Sequence, residues 1–209
     1  MMSLLSALVL LGTLVPAQSP PEGEGQLWQS ATPFAAFLEN VKARRDQWTS
    51  RFANAAVEAD ALNRARALPG RRRLLAIAEA RCSDSAWAVP HLAKLAAAVP
   101  DKLELRVITP ADGGARLQAV NLTPDGRRAT PTIVVLDEQD RVLGAWVERP
   151  SELQQWYLAN KETVAQADRY RHLDKWYTED AGRTTVSEVL TLLERTEPKA
   201  PAGARDEGK

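Results

Sequence analysis

Residues 74–90 read LLAIAEARCSDSAWAVP. Leu74 to Ala78 is an apolar run of strand length, entered from Pro69-Gly70 and the charged triplet Arg71-Arg72-Arg73. It leads to Cys82, the only cysteine among 209 residues. Ser83 to Ala98 then reads as a helix that contains Pro90 and is closed by Pro100. A strand that delivers a cysteine to a helix start has a chemical meaning. Unpaired N–H groups and the helix dipole favour a thiolate there.

Downstream, Leu103 to Ile108 (LELRVI) alternates like a strand, and Asp112 to Val120 is a short helix weakened by Gly113-Gly114. Asn121 to Arg128 is a turn region around Asp125-Gly126. Thr132 to Leu136 is a β-branched strand; after a turn at Asp137 to Asp140, Arg141 to Val147 pairs with it as a hairpin. Glu148-Arg149-Pro150 ends the hairpin. Ser151 to about Ala167 is a helix capped by Ser151, and Thr185 to Arg195 is the final helix. Arg169 to Gly182, polar and aromatic, is left without an assigned structure.

Upstream, Gln18 to Ala31 has the Pro, Gly, Gln and Ser content of a linker. Thr32-Pro33 reads as a helix start, with Thr as N-cap and Pro in the first turn. Phe34, Phe37, Leu38, Val41, Trp48, Phe52, Ala55, Ala59 and Leu62 then recur at three- and four-residue steps. That spacing predicts one long amphipathic helix, with room for a single break. The order of elements implies a parallel strand pair joined by a helical crossover and extended by a hairpin. The expected architecture is a three-layer α/β domain with a mixed sheet.

The composition narrows function. Lys+Arg and Asp+Glu each total 27, so the net charge is zero and neither nucleic acid nor an anionic membrane is indicated as a partner. A lone cysteine excludes an internal disulfide and any multi-cysteine metal site. His91 and His172 are the only histidines and read as core or surface residues, with no metal implied. Leu4 to Leu14 has the length of a secretory h-region, and Val15-Pro16-Ala17 suits cleavage after Ala17. No Lys or Arg precedes Leu4, so an uncleaved N-terminal anchor is the alternative. A cleaved signal implies a periplasmic or secreted protein, with no membrane insertion afterwards. Glu197 to Lys209 has the composition of a disordered tail.

Cys82 before the helix, Pro90 eight residues on, Thr130-Pro131 before the β-branched strand, and the hairpin and helix that follow together resemble the thioredoxin fold. The likeness is closer to bacterial thioredoxin-like proteins with a long N-terminal helix and a Trp-Cys-Gly-Asp-Ser-type segment, here Arg81-Cys82-Ser83-Asp84-Ser85. It covers roughly Thr32 to Ala167, and the expected domain runs over 32–168, with 169–196 as a C-terminal helical extension. It implies that Pro131 is cis, shaping a groove beside the sulfur, and that Thr130 offers its backbone to an extended substrate. Two departures stand out. Ser85 replaces the second cysteine of Cys-x-x-Cys, and Ala76 stands where thioredoxins carry a buried acid.

These departures leave two readings. In the first, Cys82 attacks a disulfide and stops at the mixed disulfide, because Ser85 forms no S–S bond. A second thiol, from glutathione, another low-molecular-weight thiol or a partner protein, then completes the cycle. Arg81 would favour the thiolate if it points inward, Ser83 and Ser85 offer hydrogen bonds to the sulfur, and Asp84 reads as an N-terminal helix acid or a proton shuttle. No resident cofactor or metal is called for. In the second reading the fold is a non-catalytic module that binds a peptide beside Pro131, and Cys82 is a small apolar filler.

Overall fold

Period-two alternation decides how the central strands are covered. In the computed structural model, which describes residues 23–195, five strands form one mixed sheet. They are β1 (Thr32–Pro33), β2 (Arg72–Ile77), β3 (Leu103–Ile108), β4 (Thr132–Leu136) and β5 (Val142–Val147), in the order β1-β3-β2-β4-β5. β2 and β3 are parallel, with Leu74 opposite Leu105 and Ala76 opposite Val107. All other neighbouring strands are antiparallel. The parallel pair needs a crossover, and α5 (Ser83–Ala98) supplies it.

Leu74, Ala76, Ile133 and Val135 face one core, and Leu75, Ile77, Val134 and Leu136 face the other. Because both sheet faces are covered, β2 and β4 read as continuous apolar runs. The larger core is roofed by α2 (Phe34–Asn40), α3 (Arg45–Asn54), α4 (Ala59–Ala67), α5 and α9 (Arg183–Arg195). On the opposite face lie α1 (Glu24–Ser30) and α6 (Ala115–Gln118), which contribute Trp28 and Leu117. The remaining helices, α7 (Ser151–Asn160) and α8 (Gln166–Asp180), enclose a third cluster of Leu153, Leu173 and Tyr177. This is the three-layer α/β arrangement expected from element order.

Several local expectations are corrected. The long helix is three helices, because the chain turns extended at Val41 and Ala55 and α3 begins from a left-handed Arg44. The bends gather Phe34, Phe37, Phe52 and Trp48 into one aromatic group. Trp48 becomes fully buried and donates from Nε1 to the Ala80 carbonyl at 3.0 Å. Within the stretch read as a linker, α1 is helical and buries Trp28 between the guanidiniums of Arg73 and Arg106, 5.3 and 4.7 Å from its ring. Thr32 and Pro33 pair with β3 as a strand, so Pro33 and not Thr32 caps α2. The triplet Arg71–Arg73 is no solvated lead-in: β2 begins at Arg72, which is buried and pairs in register with Leu103. Backbone pairing, not side-chain polarity, sets that start. The helix from Ser151 stops at Asn160, with Pro150 at its cap position, and residues 166–180 form α8. Residues 1–17 with the cleavage site, and the tail 197–209, lie outside the described residues. No helix among the described residues is long and apolar enough to cross a membrane.

Candidate active site

Cys82 occupies the N-cap position of α5, where the last residue of a loop faces the free N–H groups of the first turn. Its Sγ accepts a hydrogen bond from the Ser85 N–H at 3.4 Å and donates to the Thr130 carbonyl at 3.1 Å. The first contact stabilises a sulfur that carries negative charge. The second holds the thiol proton and is lost when that proton leaves. The sulfur is half-buried. Thr130 is therefore beside Cys82, and the Thr130–Pro131 peptide bond is cis. The loop leading to Pro131 is pinned: Gln118 Nε2 and Thr132 Oγ1 both donate to the Ala129 carbonyl, at 2.6 and 2.8 Å. Glu148, held at φ +67, donates its N–H to the Pro131 carbonyl at 2.8 Å.

The flanking positions divide sharply. Ser85 is fully buried; its backbone N–H serves the sulfur while its hydroxyl has no partner. The expected hydroxyl bond from Ser85 to sulfur is therefore not made. Ser83 is half-buried and lines the cavity described below. Arg81 points outward, with 82% of its side chain exposed, and pairs with Glu79 at 3.0 Å.

Asp84 is no solvated helix acid. It is buried and paired with Arg149, whose Nε and Nη2 donate to its two oxygens at 3.1 and 2.9 Å. Tyr177 Oη donates to the same carboxylate at 3.1 Å. Burial raises the Asp84 carboxyl above its ordinary range, against the pull of Arg149. Burial works against charge on Arg149, but the Asp84 and Glu148 carboxylates prevail and raise it. The forked geometry supports a charged pair at neutral pH. Burial also raises Tyr177 well above the ordinary phenol value, so it stays a donor. Glu148 lies 3.0 Å from Arg149 and accepts from Arg127 at 3.2 Å, and Gln154 Oε1 accepts from Arg149 Nη1 at 3.0 Å. This network ties the first turn of α5 to the end of β5, to α7 and to α8. It is a brace for the helix start.

A cavity of about 490 Å³ opens in front of the sulfur, lined by Arg44, Arg81, Cys82, Ser83, Asp84, Trp87, Arg149, Tyr170, Leu173, Asp174 and Tyr177. Trp87 stacks on Tyr177 with centroids 5.3 Å apart and donates to Asp174 at 3.3 Å. The Arg51 guanidinium lies 3.3 Å from the centroid of the Trp87 ring, and burial lowers its pKa to about 10. Arg44 reaches across to donate to the Arg81 carbonyl at 2.7 Å. Arg44, Tyr177 and the inward face of α8 were not identified from sequence. They are distant along the chain, and no local pattern marks them. Arg149 did have a signal, as part of the triplet Glu148-Arg149-Pro150. Among the described residues, no group of three or more His, Cys, Asp or Glu side chains is placed to hold a metal ion.

The family model described as thioredoxin matches residues 31–169. A 1.5 Å crystal structure of a protein of unknown function from Pseudomonas aeruginosa is similar at TM-score 0.64 and 23% identity, over 82% of this chain and 97% of that one. A crystal structure of an HIV epitope scaffold is similar at TM-score 0.63 and 22% identity, over 82% of this chain and 98% of that one. At these identities the two structures speak to the fold alone. No curated protein matches the chain.

Proposed function

The chain belongs to the thioredoxin family, and from that premise we propose that it performs monothiol disulfide exchange or thiol capture through Cys82. The observation that carries this reading is the placement of one sulfur at the N-cap of α5, bonded to the Ser85 N–H, beside Thr130 and Pro131, with a cavity in front of it. A thiolate there attacks one sulfur of a disulfide, the new S–S bond forms, and the electron pair leaves on the outgoing sulfur. The cycle halts at the mixed disulfide. Ser85 stands where a resolving cysteine would be, and the chain has no second thiol. Release needs an external thiol such as glutathione. The apolar run Leu4–Leu14 supports an exported setting for this chemistry.

The test is intact-mass measurement after incubation with oxidised glutathione. One glutathione should be added per chain, none to Cys82→Ser, and a second thiol should remove it. The protein alone should not reduce insulin catalytically. A folded protein that takes up no glutathione would leave the alternative, a binding module that keeps the fold without its redox chemistry.

A further inference from the structure

We infer that the cavity in front of Cys82 is a binding site for a small, carboxylate-bearing disulfide, and that α8 closes it against protein substrates. The inference rests on Cys82 being the reacting sulfur and adds what reaches it.

Tyr170, Leu173, Asp174 and Tyr177 recur at three- and four-residue steps, so one face of α8 forms a whole wall of the cavity. The family match ends at residue 169, so every one of these wall residues lies beyond it. With these residues in its wall the cavity measures about 490 Å³, within the range of sites for small molecules. The wall is anchored, not loose: Tyr177 is buried and bonded to Asp84, and Leu173 is buried beside it.

Three guanidiniums and two carboxylates line the cavity. Both carboxylates are already answered. Asp84 is held by Arg149, and Asp174 accepts from Trp87 and faces the charge of Arg51. Arg44 donates to a carbonyl and to the Gln47 side-chain oxygen, and forms no ion pair among the described residues. Among the described residues Arg81 pairs only with Glu79, in an exposed bridge that a ligand carboxylate can replace at little cost. Arg44 therefore brings to the cavity lining a cation with charge to spare, and Arg81 adds an outward-pointing one answered only by its exposed bridge to Glu79. Tyr170, 47% exposed, offers apolar surface for the hydrocarbon arms.

Bound this way, a disulfide R–S–S–R presents one sulfur to Cys82. The Cys82 thiolate forms a bond to that sulfur, the S–S bond of the substrate breaks, and RS⁻ departs to take a proton from solvent. Cys82 is oxidised to the mixed disulfide, and half of the substrate is reduced to a thiol.

The experiment measures mixed-disulfide formation by mass spectrometry with oxidised glutathione (anionic), hydroxyethyl disulfide (neutral), cystamine (cationic) and insulin. Each rate is divided by that of a cysteine peptide under the same conditions. Normalised rates should fall in the order anionic, neutral, cationic, spanning about tenfold at low ionic strength and collapsing in about 1 M salt. Insulin should be slower than oxidised glutathione. Arg44→Gln with Arg81→Gln should lower the anionic-to-cationic ratio by roughly threefold or more, and Arg44→Lys should keep most of it. Reaction with all three small probes and no charge order, or an unchanged ratio in the double variant, overturns the inference while leaving the monothiol reading intact. Insulin outpacing oxidised glutathione overturns the wall argument. Failure to react with any probe sinks both.

Discussion

Replacing Asp84 with Ala should strand a buried charge beside the site. Arg149 is 6% exposed, and Asp84 supplies two of its hydrogen bonds, at 3.1 and 2.9 Å. Breaking a buried pair from one side costs about 3–5 kcal/mol. Glu148 stays within 3.0 Å of Nη1 and partly compensates, which places the charge penalty near ~3 kcal/mol. Tyr177 loses its acceptor in the same step, for roughly 1 kcal/mol more. A total near ~4 kcal/mol should lower Tm by about 8–16 °C in a domain of this size. Urea unfolding followed by tryptophan fluorescence gives the free energy directly. The informative partner is Asp84→Leu combined with Arg149→Met, which removes both charges and should recover at least half of the loss. A cost below about 1 kcal/mol for Asp84→Ala, or a double variant no better than the sum of its singles, would refute the bracing role assigned to this pair.

Two further outcomes follow from packing near the helical extension. His91 is 7% exposed, both ring nitrogens lack partners, and burial lowers it below 6.5, with Asp180 opposing and Arg51 assisting. The unfolded chain therefore protonates first; the contribution is complete above 6.5 and is lost as pH falls through the folded value. The urea midpoint should fall as pH drops below 6.5, with a shallower slope in His91→Leu. Gly126 and Gly182 have nearly equal φ, +79 and +81, but a Cβ at Gly182 would lie 2.2 Å from the His91 ring while one at Gly126 meets nothing within 4 Å. Gly126→Ala should cost about 1 kcal/mol, the backbone term alone, and Gly182→Ala roughly 2 kcal/mol more; equal costs in urea unfolding would contradict the packing described.

What could be read from the sequence was set by local signals. The bounds of β3, β4 and α5 follow from alternation, from a β-branched run and from a helix between Cys82 and Pro100, and the structure reproduces them. β1 has only two residues and is a strand solely because β3 offers it a partner. α1 hides its one buried side chain, Trp28, in a stretch of Gly, Glu, Gln and Ser. The heptad-like spacing of residues 34–62 specifies which side chains turn inward but not where the axis bends. That depends on Trp48 reaching Ala80. The site shows the same division. Cys82 and Thr130-Pro131 stand out in the chain. The Asp84–Arg149 pair joins residues 65 positions apart and Tyr177 lies 93 from Asp84, so no local pattern announces either. Arg44 and the α8 wall acquire meaning only once the helices have packed.

The most direct measurement compares the iodoacetamide alkylation rate of Cys82 in the native chain and in the urea-unfolded chain, at the same neutral pH and denaturant-corrected. If the N-cap position activates the sulfur, the native rate should be higher, by about threefold or more. A native thiol that reacts more slowly than the unfolded one would mean that the fold shelters Cys82, and the monothiol account would fall.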